Sequence, residues 1–400
     1  LIAVLRRKFE KYTEDDFCNR SNGVGGFVSS PIKNPLMLSN KAWKKLITTD
    51  PSKFSKNKFR RDLREASIHQ FSNAFESAVI SEPQRYAEFA LTLPIDIPQD
   101  YINALYYGLR DNDLNRVPDE LKETWEPCPI ELVEQVIDHF SASKYSRQLE
   151  SLLSAKINVL SPKYINLLEN IAKSADDPLP NKLNIHTVGY PDQLDEISSR
   201  DLKGNTINCT RGSAYTGLAG KFWDDQEYAL SHKYIIENAL NDEHAAVIMA
   251  TADLLLPMYN YDQDYAFDKF IELCKKDIRN TLSYGFHYYF NNAFTGQYRE
   301  SFISVVKTML ESKYEDVRKE GHKQIIARWL FNDLFEAELQ LSLDSKNQES
   351  LWGYASVISQ LLGDDTKGYD HSKMKKIFEI LVNSENEEIL KKIGRFFGQK

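Results

Sequence analysis

Apolar residues recur at three- and four-residue intervals along nearly the whole chain. The strict alternation that marks half-buried strands is almost absent, so an all-α architecture is expected. Residues 59–79 read as one long helix with Leu63, Ile68, Phe71, Phe75, Ala78 and Val79 on a single stripe. Further helices are expected to open at Pro83, Pro98, Pro129 and Pro162. A first-turn proline lacks only an N–H that the helix leaves unpaired anyway.

Beyond residue 207 a longer period appears. Small residues near the starts of successive amphipathic helices fall at Ala214, Ala250, Gly285, Gly321, Ala355 and Gly394, separated by 34 to 39 residues. Such a period belongs to HEAT-like or TPR-like arrays, where a helical hairpin buries its second face only against a neighbour. The TPR tryptophan and proline pattern is missing, so an α-solenoid of HEAT-like hairpins is expected. Residues 315–321 (Glu-Asp-Val-Arg-Lys-Glu-Gly) form the most HEAT-like unit, with acids at the helix start and Val317 inward. His322 stands where a small residue is expected. Residues 20–40 and 174–206 are rich in glycine and proline, and the second stretch is long for a connection inside one domain. The expected organisation is a helical domain over 1–174, an irregular linker over 175–206, and about six array units over 207–400.

Length agrees, since 400 residues exceed the roughly 250–300 that one core serves. A hydrophobic share of 42% excludes a disordered chain. The chain opens on Leu1 and is still helical in pattern over 389–397, so an excerpt of a longer protein is expected. No apolar run approaches the ~18 residues of a membrane span. Four cysteines, at 18, 128, 209 and 274, are too sparse for a disulfide framework or a zinc site. A soluble, cytoplasmic protein is expected. Net charge is −8 but uneven: residues 1–64 carry 15 basic against 6 acidic residues, and residues 65–200 carry 11 against 22. An acidic body argues against nucleic acid as a partner.

Catalytic patterns are not expected to carry function here. The stretch 217–221 (Gly-Leu-Ala-Gly-Lys) lacks the outer glycine and the Ser/Thr of a phosphate loop, since Tyr215 and Phe222 stand there. The eight histidines show no metal-ligand spacing, and no nucleophile elbow occurs. No catalytic residue, metal site or cofactor is expected in this segment. Two surfaces are candidates for a protein partner. One is a basic tract that includes Lys53, Lys56, Arg60 and Arg61. The other is an aromatic cluster that includes Tyr259, Tyr261, Tyr284, Tyr288 and Tyr289, tyrosine being enriched at recognition hot spots. For the cluster, core packing between helices is the competing reading.

Several segments resemble the C-terminal regions of bacterial antiviral STAND NTPases (Avs). They are residues 208–214 (Asn-Cys-Thr-Arg-Gly-Ser-Ala), Ser30-Pro31-Ile32 with Trp43, and Pro83 with Arg85 and Tyr86. Leu93-Pro94, Tyr101, Gly108-Leu109 and residues 309–312 also match. The resemblance spans about residues 28–330. It implies a sensor module whose helical array binds a phage protein, a terminase or portal, and so triggers oligomerisation of the whole protein. ATP and magnesium would belong to an NTPase domain outside this segment. A non-enzymatic scaffold for a cellular complex is the alternative, and an enzyme with a site between two helical units is a third class.

Overall fold

Serine, aspartate or proline stands at the start of many of the described helices. The computed structural model describes residues 32–49, 68–110, 113–140, 145–183, 193–294, 296–345, 347–361 and 368–394. All regular structure among them is helical. By packing, the chain divides into two units, residues 1–144 and 145–400, each described by itself.

In the first unit the helices are α1 (Asn40–Ile47), α2 (Ile68–Ser81), α3 (Pro83–Ala90), α4 (Gln99–Arg110) and α5 (Ile130–His139). Ser39 caps α1 by accepting from the Ala42 N–H, and Pro83 opens α3. The core is aromatic. Phe75 lies 5.2 Å from Trp43, 5.7 Å from Tyr86 and 6.1 Å from Tyr101, the last two edge-on. At Gly108 a Cβ would lie 2.6 Å from Val79 Cγ1, so the glycine lets α2 and α4 meet closely. Trp43, Tyr86, Leu93, Tyr101 and Leu109, which carry the family resemblance, are thus core residues.

The second unit opens with α6 (Arg147–Ala155), α7 (Pro162–Ser174), α8 (Ser199–Asn208) and α9 (Thr210–Asp224). Next come α10 (Gln226–Ser231), α11 (Tyr234–Leu240), α12 (Ala245–Tyr261), α13 (Gln263–Lys276) and a 3-10 turn, Ile278–Leu282. After the turn follow α14 (Phe286–Ala293), α15 (Arg299–Leu310), α16 (Glu315–Asn332) and α17 (Glu336–Asp344). The last three are α18 (Gln348–Leu361), α19 (His371–Val382) and α20 (Glu387–Gly394). Packing follows chain order. α9 lies between α6, α7 and α12; α12 packs on α13; the 3-10 turn touches α13 and α16; α16 packs on α18, and α18 on α20.

The stretch expected to be an irregular linker is built into this unit. α8 starts inside it, with the Ser198 hydroxyl accepting from the Asp201 N–H. Two buried arginines hold its described parts on either side, 175–183 and 193–198. Arg211 donates through Nη1 to the carbonyls of Ala175 and Pro178, at 3.0 and 3.1 Å. Arg279 does the same to Leu194 and Ile197, at 2.7 and 3.0 Å. Each guanidinium also grips an aspartate, Asp242 and Asp277 respectively. Four carbonyls outside regular structure are thereby answered by charge-assisted bonds.

His322, standing where a small residue is expected, is accommodated by the residues opposite. Its imidazole Nε2 lies 3.1 Å from the Ser350 hydroxyl and its ring meets Tyr354 edge-on. At Gly353 a Cβ would sit 2.9 Å from His322 Cβ, so the small residue is supplied by α18 instead of α16.

Candidate protein-recognition surface

The aromatic cluster of 259–298 separates by helical phase into a core and a surface. On α14 the inward residues are Tyr289, Phe290 and Ala293. Tyr289 is 1% exposed, stacks on Phe270 at 4.2 Å and donates its hydroxyl to the Leu255 carbonyl at 2.7 Å. It belongs to the core and has no place on a partner-facing surface, contrary to expectation. Tyr259 is half-buried, edge-on to Tyr289 and Phe267. Tyr261 is half-buried too, with its hydroxyl donated to the Trp223 carbonyl at 2.9 Å.

Two of the five tyrosines point outward. Tyr284 is 70% exposed and Tyr288 50% exposed. Gly285, between Tyr284 and α14, holds φ +81°, and a Cβ there would strike Leu256 at 2.1 Å. Only glycine makes this left-handed turn against α12 without strain, and the turn sets Tyr284 beside the outer stripe of α14. That stripe is His287, Tyr288, Asn291 and Asn292, all exposed. His287 and Tyr288 rings lie 4.3 Å apart. Helical phase alone carries this division, because Phe286, Tyr289, Phe290 and Ala293 share one face. Lys53, Lys56, Arg60 and Arg61 lie outside the described residues.

A second feature escaped the sequence reading. A cavity of about 640 Å³ opens between α7, α9 and α11, lined by Lys173, Arg211, Tyr215, Asn238 and Asp242 among others. Lys173, Tyr215 and Asn238 also line an adjoining cavity of about 280 Å³. On one wall Glu169 accepts the hydroxyls of Tyr228 and Tyr234, at 2.5 and 2.6 Å. Burial and the nearby Asp242 carboxylate push the Tyr215 phenol up, so it is a neutral hydroxyl at any physiological pH. The residues come from separate segments between 169 and 243, and no local spacing announces them.

Other sequence candidates take structural roles. Residues 217–221 lie within α9, and a Cβ at Gly217 would fall 2.1 Å from the Ser154 hydroxyl of α6, so that glycine is a packing residue. Residues 208–214 form the joint between α8 and α9. Asp177 accepts from the Thr210 N–H and hydroxyl at 2.6 and 2.8 Å, and a Cβ at Gly212 would lie 2.5 Å from the Thr206 carbonyl. His244 caps α12 by accepting at Nδ1 from the Ala246 N–H, and its Nε2–H donates to the Lys182 carbonyl at 3.0 Å. Cys128, Cys209 and Cys274 are buried, and burial pushes the Cys209 thiol up to about 12. Among the described residues no group of three His, Cys, Asp or Glu side chains could hold a metal ion, and no helix is long and apolar enough to cross a membrane. Compared with known proteins, the chain matches no family model, no curated protein and no solved structure.

Proposed function

We propose that the second unit is a HEAT-like array that recognises a protein partner through a surface centred on Tyr284 and Tyr288. The observation that carries this reading is the exposure of two large aromatic rings, one on the outer stripe of α14 and one just ahead of it, in a cluster whose other tyrosine and phenylalanine rings are buried or half-buried. Each ring offers a partner a large contact area with little rotamer entropy to lose. Chain-order packing from α9 through α12, α13, α15, α16 and α18 to α20 supports the array. With the resemblance described above, the reading extends to the sensor portion of a bacterial antiviral STAND NTPase. Its ligand is then a phage terminase or portal protein, and binding drives oligomerisation of the whole protein in the cytoplasm. ATP and magnesium would serve a separate NTPase domain, with no catalysis in this segment.

Serine substitutions at Tyr284 and Tyr288 test it in phage-infected bacteria that carry the parent protein. Each change is expected to weaken capture of the phage protein about tenfold, typical of a hot-spot ring, and to reduce protection. The melting temperature should hold, because both side chains face solvent. Unchanged capture by the doubly substituted protein sinks the reading.

A further inference from the structure

A guanidinium grips a carboxylate best side-on, through the parallel N–H groups of its Nε/Nη2 edge. Three arginines of the second unit do this within the chain. Arg211 meets Asp242 with Nε and Nη2 both at 3.1 Å. Arg318 meets Glu349 with both at 2.8 Å. Arg279 meets Asp277 at 3.0 and 2.6 Å. In each, Nη1 is left for backbone carbonyls.

Arg328 on α16 departs from this pattern. It is 9% exposed and faces no carboxylate among the described residues. Nη2 donates to Asn291 Oδ1 at 2.8 Å, Nη1 reaches Asn332 Oδ1 at 3.4 Å, and Nε has no hydrogen-bond partner. The Phe294 ring, 5.0 Å from Cζ, adds a face but no acceptor. Burial with no counter-charge pulls this guanidinium down to about 10. The edge that is filled in the other three is here half empty, and its one occupant is a neutral amide. That amide belongs to Asn291, which is exposed and lies one turn beyond Tyr288 on the outer stripe of α14.

We infer that the Nε/Nη2 edge of Arg328 receives an aspartate or glutamate carboxylate of the partner protein, at the foot of the Tyr284–Tyr288 surface. The inference rests on the reading of that surface as a recognition site. On binding, the partner's carboxylate displaces the Asn291 amide and takes both N–H groups side-on, as Asp242 and Glu349 do within the chain. Partners without an acid at this point leave a buried cation unpaired and are selected against.

Glutarate serves as the probe and glutaramide, at matched ionic strength, as its neutral control. The readouts on the whole chain are the 15N–1H signal of the Arg328 Nε–H and the melting temperature. Glutarate is expected to move the signal saturably in the millimolar range, and glutaramide is not. Arg328→Met should keep the fold and lose the glutarate-dependent rise in melting temperature. Asn291→Asp places a carboxylate against the same edge, so it should raise the melting temperature and weaken the glutarate response at least tenfold. If Arg328→Met does not fold, Asn291→Asp decides alone. A silent Nε–H, a glutarate effect that survives Arg328→Met, or an Asn291→Asp variant that melts lower overturns the inference. Failure of the surface reading looks different: partner capture then survives the two tyrosine substitutions while the glutarate response is intact.

Discussion

Replacing Arg211 with methionine is expected to destabilise the second unit by about 3–5 kcal/mol, the range for breaking one side of a buried ion pair. Arg211 is buried and Asp242 largely so, joined by two parallel bonds at 3.1 Å. Methionine leaves the Asp242 carboxylate inside with only the His244 N–H at 2.8 Å to answer it. It also strands the carbonyls of Ala175 and Pro178. Lysine is no substitute, because one ammonium cannot serve a side-on carboxylate and two carbonyls in these directions. The double variant Arg211→Met/Asp242→Leu should recover a large part of the loss, since it removes the buried charge together with its partner. Urea unfolding of the wild type, Arg211→Met, Asp242→Leu and the double variant measures this, with trypsin cleavage at Lys182 as a local reporter of the 175–183 segment. A single-variant loss below about 1 kcal/mol would mean that the loop is held by other contacts, and the account of the staple would fall.

How much of this was readable beforehand depends on the range of the interaction. Helix starts were legible because their cause is local: Pro83 and Pro162 open α3 and α7, and Pro98 and Pro129 directly precede α4 and α5. Ala214, Ala250, Gly321 and Ala355 all lie buried inside helices. Gly285 shares their spacing for another reason, a left-handed turn ahead of α14. α8 was missed because residues such as Arg200, Asp201, Lys203, Gly204 and Asn205 give it little apolar rhythm. The signal present was Ser198 followed three residues later by Asp201, a helix-start pair. Tyr289 was assigned to the surface although it follows Phe286 by three residues, a spacing that puts it on the buried face. The arginine staples and the Arg328 edge were beyond reach. Arg211 finds its acid 31 residues away and its carbonyls 33 and 36 residues away, and no periodicity in a sequence encodes such a pairing.

Mild acid is expected to weaken the second unit through its buried histidines. His322 is 8% exposed, and burial, aided by the Arg318 charge and opposed by Glu349, holds it down to about 4. An unfolded-chain histidine titrates near 6.5. Between these values the unfolded state binds a proton that the folded state refuses, so stability falls as pH drops from about 6.5 toward 4 and levels off below. Across a gap of this size the loss is about 3 kcal/mol, of which about 2 kcal/mol accrues between pH 7 and 5. Burial shifts His244 in the same direction, and its protonation would also end the Nδ1 cap on α12. Glu349 is held low chiefly by Arg318, so its contribution is present above the ordinary glutamate range and is lost as pH falls below it. Urea midpoints measured from pH 7.5 to 4.5 should therefore fall with a slope that His322→Asn reduces by about one proton. In that variant the asparagine still reaches toward Ser350 but carries no titrating group. A wild-type profile flat between pH 7 and 5, or one that His322→Asn leaves unchanged, would show that His322 takes up its proton in the folded state without cost.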